Sequence, residues 1–493
     1  MKLHWSFIAA SLFITLCNAG TPPAKPNAHL YVSHYENVLG TSMELKVTTV
    51  SKASAKAAED AALQEIDRMS KILSAYDNNS EFSKWRGTMQ QPVKVSAELY
   101  EVLRLFDEWR VRSGGVLDAS AEAVSQAWKK AAAEKRLPTT AEINTAVALV
   151  KQPHWALDAT THTATHLDNA PLMLNSFVKS YIIKHAAAAA MAAGNMNAVV
   201  VNIGGDLVVL GNTNETVQIT NPTADAENEA PIDQLQIANQ AVATSGNYRR
   251  GELINGHWYS HIVDPRNGQP ANNIISATVV AANATDAGAL ATAFNVMTPQ
   301  ESIQLAATVP DAQYLIITKE GRRIASKGWN ALTTPLPKTT TTTASEFELL
   351  INLEIKMQQG FAKRPYVAVW VEDENHAAVR TVSVWHGSDK YMNELKSWYL
   401  KYRSSYTTDN TFHSTVTSAT RSPGKYTLKW DGKDDKGNAL KPGKYTLKIE
   451  VSREHGTYQL MRQDLQLDEK PQQFTLPGNA EIESVSLDYR KKS

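Results

Sequence analysis

The chain has 493 residues, 50 basic and 50 acidic side chains, 43% hydrophobic residues and one cysteine. Its length is more than one core accommodates, so two or three domains are expected, and the balanced charge argues against a nucleic-acid groove or a polybasic membrane patch. With Cys17 removed by processing, no thiol would remain for disulfides, nucleophilic catalysis or metal binding.

In chain order, Met1-Lys2, the apolar stretch Trp5 to Leu16 and Cys17-Asn-Ala-Gly20 form the three parts of a secretory signal, residues 1–19, cleaved after Ala19. The rival reading takes Ile14-Thr-Leu-Cys17 as a lipoprotein site, with Cys17 lipidated. The apolar run is too short to span a bilayer as a retained helix, and no other stretch is apolar for longer. Met43 to Thr49 alternates as a strand, Ala55 to Leu73 and Ala97 to Trp109 carry apolar residues at helical spacing, and Val178 to Ala193 reads as an Ala-rich helix ended by Gly194. Ala198 to Ile203 and Ile275 to Ala281 are apolar strands, so residues 30–332 read as an α+β domain without strict βαβ alternation. Residues 333–345, rich in Pro and Thr, read as an extended linker.

Residues 346–493 read as a β-rich domain. Phe347 to Ile355, Tyr366 to Glu372 and Val379 to Trp385 are predicted strands, and Asn393 to Tyr402 a short helix. Pro423-Gly-Lys-Tyr-Thr-Leu-Lys429 recurs as Pro442-Gly-Lys-Tyr-Thr-Leu-Lys448, predicting two strands joined by a turn-rich loop in an immunoglobulin-like β-sandwich. The loop Trp430 to Gly437 holds three aspartates without the spacing of a calcium loop and reads as a turn.

The densest chemistry lies in Thr244-Ser-Gly-Asn-Tyr-Arg-Arg250 and His261-Ile-Val-Asp-Pro-Arg-Asn-Gly268, too polar and too rich in turn residues for a core. His261 suits general-base work near neutral pH, with Asp264 three residues on. Asn202-Ile-Gly-Gly-Asp206 ends an apolar strand in two glycines and a carboxylate, which serves either a ligand or a tight turn. Lys179 opens the Ala-rich helix at the end where a cation opposes the helix dipole, a conflict that a bound phosphate would resolve. Asp286 and Thr292 stand in a small-residue helix start where oxygen ligands could hold magnesium, although Asp286 could equally be a helix cap. Nucleotide-binding P-loop, GxGxxG and HExxH patterns are absent.

In order, Leu39-Gly-Thr-Ser-Met43, Leu73-Ser-Ala-Tyr76, Ser80-Glu-Phe82, Gly115-Val-Leu-Asp118, Lys179-Ser-Tyr181, Asn202 to Asp206, Thr244 to Tyr248, His261 to Gly268 and Ala289-Leu-Ala-Thr292 resemble the FAD:protein FMN transferase (ApbE) family from about Tyr35 to Met297. The resemblance implies a periplasmic protein, often lipid-anchored, that moves FMN from FAD to a Thr or Ser hydroxyl of an acceptor protein with magnesium, releasing AMP. It implies an FAD site lined by Met43, Tyr76, Val116, Leu117, Asp118 and Lys179, with Asp206, Thr244 and Ser245 in the same pocket and Asp264 shaping it. It further implies His261 as base, a metal held by the Val178 carbonyl, Thr292 and Asp286, and an acceptor flavoprotein, membrane-associated and facing the periplasm.

The chain departs from the family pattern at three places. Gly288 stands four residues before Thr292, where the family carries its metal-binding Asp. The usual Asp-x-Gly-Gly-x-Ala-Lys-Gly run reads Met173-Leu-Asn-Ser-Phe-Val-Lys-Ser180, and Asn267 replaces the usual Thr. Six residues before Thr292, Asp286 shares its side of a helix only if the helix begins after it. These departures leave two readings: a transferase with its own acceptor, or a non-catalytic flavin-binding protein of the same fold. The C-terminal region resembles an uncharacterised domain that accompanies ApbE, and its Trp-Asp-Gly loop is similar to that of the flagellar hook-capping protein's immunoglobulin-like module.

Overall fold

The computed structural model describes residues 27–248, 250–336, 346–358, 363–387, 389–408 and 417–492; the expected signal segment with Cys17, and most of the expected linker, lie outside these residues. Eight strands form one sheet in chain order: β1 (His29–Val38), β2 (Thr41–Thr49), β3 (Met196–Ile203), β4 (Asp206–Gly211), β5 (Ala241–Gly246), β6 (Ile274–Ala281), β7 (Gln313–Thr318) and β8 (Arg323–Ala325). Every neighbouring pair is antiparallel.

The continuous apolar run of β3 has a simple cause: both of its faces are covered. Val199, Val201 and Ile203 face helices α1 (Lys52–Leu73), α2 (Ala97–Arg112), α3 (Val178–Ala192) and α4 (Ala284–Val296) in one core. Val200 points the other way, into a second core with Leu207, Val242, Val280 and the buried Trp329. That second face is roofed by a three-stranded sheet, Glu215–Ile219, Asp233–Ile237 and Thr333–Thr334. The first residues of the expected linker are therefore a paired strand, because Thr333 and Thr334 join Leu235 and Gln234.

The helices form where the spacing places them. Ser51 caps α1 by accepting the Ser54 N–H, and Ala55, Ala58, Ala62, Ile66, Met69 and Leu73 bury one stripe. Asn283 caps α4, whose residues are buried on almost all sides. Small residues in α3 and α4 allow the two helices to pack against each other and the sheet.

Beyond the linker, a four-stranded and a five-stranded sheet close on one core. Strand Tyr366–Asp373 sends Val367, Val369 and Val371 inward, while Tyr366, Ala368 and Trp370 pack outward under a helix, Lys396–Thr408. This helix starts later than the apolar pattern predicts, because buried Glu450 accepts the Ser397 and Trp398 N–H groups at 2.8 Å and fixes its first turn there. The repeated segments are strands Gly424–Trp430 and Gly443–Ser452, but they do not pair with each other: one lies in each sheet.

The two parts meet along the edge of strand Gly424–Trp430. Glu227 N–H donates to the Thr427 carbonyl at 2.8 Å. Asn228 accepts the Lys429 N–H at 2.8 Å and donates to the Lys429 carbonyl at 2.9 Å. At a second contact Arg364 donates to the Gly40 carbonyl at 3.2 Å and approaches Glu36 at 3.4 Å.

Candidate active site

The site forms where α3 begins. Gly204 and Gly205 turn the chain between β3 and β4 with φ of +59° and +90°, a region that favours glycine. A side chain at Gly204 would also strike Thr41, whose turn packs there and donates no space, while the Gly204 N–H bonds the Ser42 carbonyl at 3.0 Å. This close approach brings Asp206 in as the first residue of β4, 7% exposed. Its Oδ2 accepts the Ser180 hydroxyl at 3.0 Å and lies 3.1 Å from Lys179 Nζ, and its Oδ1 accepts the Thr244 N–H at 3.3 Å. Thr244 Oγ1 in turn bonds Thr278 Oγ1 at 2.9 Å. The cation that opposes the α3 dipole is thus answered by the protein's own carboxylate.

Other predicted residues are bonded to segments that flank this centre. The Tyr76 ring is 75% exposed, its hydroxyl accepting from Asn175 Nδ2 at 2.8 Å on the approach to α3. The Met173 N–H donates to the Ala119 carbonyl at 2.9 Å, tying the Gly115–Asp118 loop to the same approach. Asn295 Nδ2 donates to the Ser245 carbonyl at 3.0 Å, joining β5 to α4. Met43, Val116 and Leu117 belong to the main core, so their side chains pack the scaffold. Asp118 is buried; its Oδ1 accepts from the Ser120 N–H and hydroxyl, and its Oδ2 lies 2.8 Å from Arg110 Nε. A cavity of about 50 Å³ opens beside Asp118, Arg110 and His154.

His261 follows the hairpin Gly251–Ile254 and His257–Ser260. Its Nδ1 lies 2.9 Å from the Arg250 carbonyl. A carbonyl only accepts, so Nδ1 carries the proton and Nε2 is left with a lone pair. His261 is exposed by surface area, and partial desolvation of its ring holds its pKa below the ordinary histidine value, against the pull of that hydrogen bond. Asp264 does not touch His261: it is buried against Arg266, whose Nη2 is 2.8 Å away and whose Nη1 reaches Glu301 at 2.6 Å.

The predicted metal set does not assemble. Helix α4 begins at Ala284, before Asp286, so Asp286 and Thr292 are separated by about 600° of helical rotation and face different ways. The charged neighbours of Asp286 are Arg112, Lys184 and Glu108, and burial raises its pKa. Thr292 Oγ1 donates to the Ser176 carbonyl at 2.7 Å, so that carbonyl, two residues before Val178, is its partner. At Gly288 a Cβ would lie 2.9 Å from Ser180 Cβ and closer still to its hydroxyl. Among the described residues no cluster of three or more His, Asp or Glu side chains has metal-binding geometry.

Two residues of the site escaped the sequence reading. Ser180 sits inside a quoted motif but had no role until Asp206 came within reach, 26 positions away. Asn295 carried a usable signal: it is the one amide in the apolar run Ala289 to Val296, and it is fully buried.

The fold of residues 27–336, an antiparallel sheet packed against helices, is similar to that of solved flavin transferases. The chain matches the apbe protein of Thermotoga maritima with a TM-score of 0.56 at 24% identity, covering 62% of this chain and 100% of that one. It matches the Pseudomonas stutzeri flavinyl transferase ApbE at 0.53 and 20% identity, covering 63% and 98%. Relatives named FAD:protein FMN transferase from Klebsiella pneumoniae and Escherichia coli are 26% and 24% identical, each aligned over 64% of this chain and 92% of the relative. The model described as the ApbE family matches residues 39–316, more than half the chain, and the chain belongs to that family. A second model, described as Predicted periplasmic protein (DUF2271), matches residues 348–484.

Proposed function

We propose that this chain transfers FMN from FAD to a Ser or Thr hydroxyl of an acceptor protein and releases AMP. The observation that carries the reading is the convergence of Lys179, Ser180, Asp206 and Thr244 at one helix mouth, in a chain aligned with 92% of relatives bearing that activity in their name. The acceptor oxygen attacks the phosphorus on the FMN side of the diphosphate, and the bond from that phosphorus to the bridging oxygen breaks, leaving AMP. His261 Nε2, with Nδ1 pinned by Arg250, takes the hydroxyl proton. Lys179 supplies positive charge where negative charge gathers on the diphosphate. The exposed, tethered ring of Tyr76 offers a platform on which a flat ligand ring can stack. The residues present do not compose a magnesium site, and no step is assigned to a metal.

An exported protein fits the N-terminal signal pattern and the periplasmic description of the C-terminal family; the acceptor would then be a membrane-associated flavoprotein facing the periplasm, and this chain would itself be tethered to a membrane only if Cys17 is lipidated. No helix among the described residues is long and apolar enough to cross a membrane. A flavin-binding protein without transfer is the second reading, favoured by the filled space at Gly288. The two are separated by incubating the protein with FAD and periplasmic flavoproteins bearing candidate hydroxyls, then reading in-gel flavin fluorescence and AMP release. Covalent label with stoichiometric AMP supports transfer; FAD bound without either product supports the second reading.

A further inference from the structure

Ser180 and Gly288 form a matched pair across the contact between α3 and α4. Gly288 is buried and brings the two helices so close that any Cβ there lies 2.9 Å from Ser180 Cβ and 3.5 Å from Phe177 Cα. Real side chains do not approach to 2.9 Å, and Ser180 Cβ is fixed to the helix backbone, so a rotamer change does not relieve the clash. The hydroxyl is also held, because it donates to Asp206 Oδ2 at 3.0 Å. The space at position 288 that an acidic side chain needs is therefore filled by a serine hydroxyl from the neighbouring helix.

We infer that this exchange removes a divalent-cation site from the pocket, so that side chains, Lys179 first among them, meet the ligand's diphosphate and binding is indifferent to magnesium. The inference rests on the proposed flavin-binding reading. It also makes a constructive claim. Replacing both partners, Ser180→Gly and Gly288→Asp, puts a carboxylate four residues before Thr292 on the same helix face. With Asp206, Thr292 and the Ser176 carbonyl nearby, such a carboxylate completes a set of hard oxygen donors.

The full chain is tested by three measurements: free Mn²⁺ by electron paramagnetic resonance, FAD affinity by flavin fluorescence in magnesium and in EDTA, and thermal unfolding. The parent protein is expected to leave Mn²⁺ free and to bind FAD with the same affinity in both buffers. The double variant is expected to take up Mn²⁺ and to bind FAD about tenfold or more weakly in EDTA. Gly288→Ala alone should lower the melting temperature and Ser180→Gly should restore it, a non-additive pair. Mn²⁺ uptake by the parent, an EDTA loss of about tenfold in its FAD affinity, or a harmless Gly288→Ala would each overturn the inference. If no variant binds FAD, the flavin reading fails, and the Mn²⁺ and melting measurements still decide the metal question.

Discussion

Replacing Asp206 by Ala strikes the centre of the site, and its cost follows from what the carboxylate holds. The change strands the buried Ser180 hydroxyl, for which a lost acceptor costs about 1–3 kcal/mol. The Thr244 N–H is only partly buried and its bond is long at 3.3 Å, so its share is smaller. Lys179 is about one-third exposed (34%), and its ion pair adds no more than about 1 kcal/mol after solvent screening. The sum is about 2–4 kcal/mol, or roughly 4–16 °C in melting temperature at roughly 2–4 °C per kcal/mol for a domain of this size. Asp206→Asn keeps an acceptor oxygen and should lose about 1 kcal/mol. The check is scanning calorimetry of both variants, with Ser180→Ala added to each. Ser180→Ala should cost little once Asp206 is gone, because the two share one interaction. If Asp206→Ala melts with the parent protein, the carboxylate is not the hub inferred from its contacts.

Three further outcomes are expected. His261→Ala should retain FAD and slow label transfer by about 10²–10⁴-fold, as seen in single-turnover gels; equal rates would remove His261 from the chemistry. Because the His261 pKa lies below its ordinary value in the folded protein, the unfolded chain takes up the proton first as pH falls. Its neutral form therefore contributes stability that is present above about pH 6.5 and lost below it, and the acid limb of transfer should likewise fall below about pH 6.5. His261→Gln should flatten both profiles, and an unchanged acid limb would refute the assignment. Trp329→Ala should cost about 3–5 kcal/mol in chemical denaturation, since the ring is fully buried and its Nε1–H bonds Asp233 at 2.7 Å.

The long elements were readable because their burial has a period. The stripe Ala55 to Leu73 and the alternation of Met43, Leu45 and Val47 are dictated by one-sided packing, and both formed where expected. The repeated Tyr-Thr-Leu segments were readable as strands but not as members of opposite sheets, since identical local patterns carry no information about which partner each will find. The site divides the same way. His261 and Asp206 announced themselves as polar residues at turns. The counter-ion of Lys179 did not, because it comes from a strand 27 positions later and only the fold sets that distance. Asp286 misled for a related reason: a carboxylate in the first turn of a helix is already favoured by the helix dipole, so its presence there needs no ion.

The way Glu227 and Asn228 cover the margin of strand Gly424–Trp430 has a practical consequence for anyone who would study the two halves separately. Severing the chain before residue 346 would bare a ribbon of unsatisfied amides and carbonyls, a template for docking with a second molecule. Such a fragment should elute as dimers or larger species in size-exclusion chromatography, and a peptide spanning 221–232 should return it to a monomer. The segment between the first two strands of the roof sheet would thus act as a built-in guard against self-association.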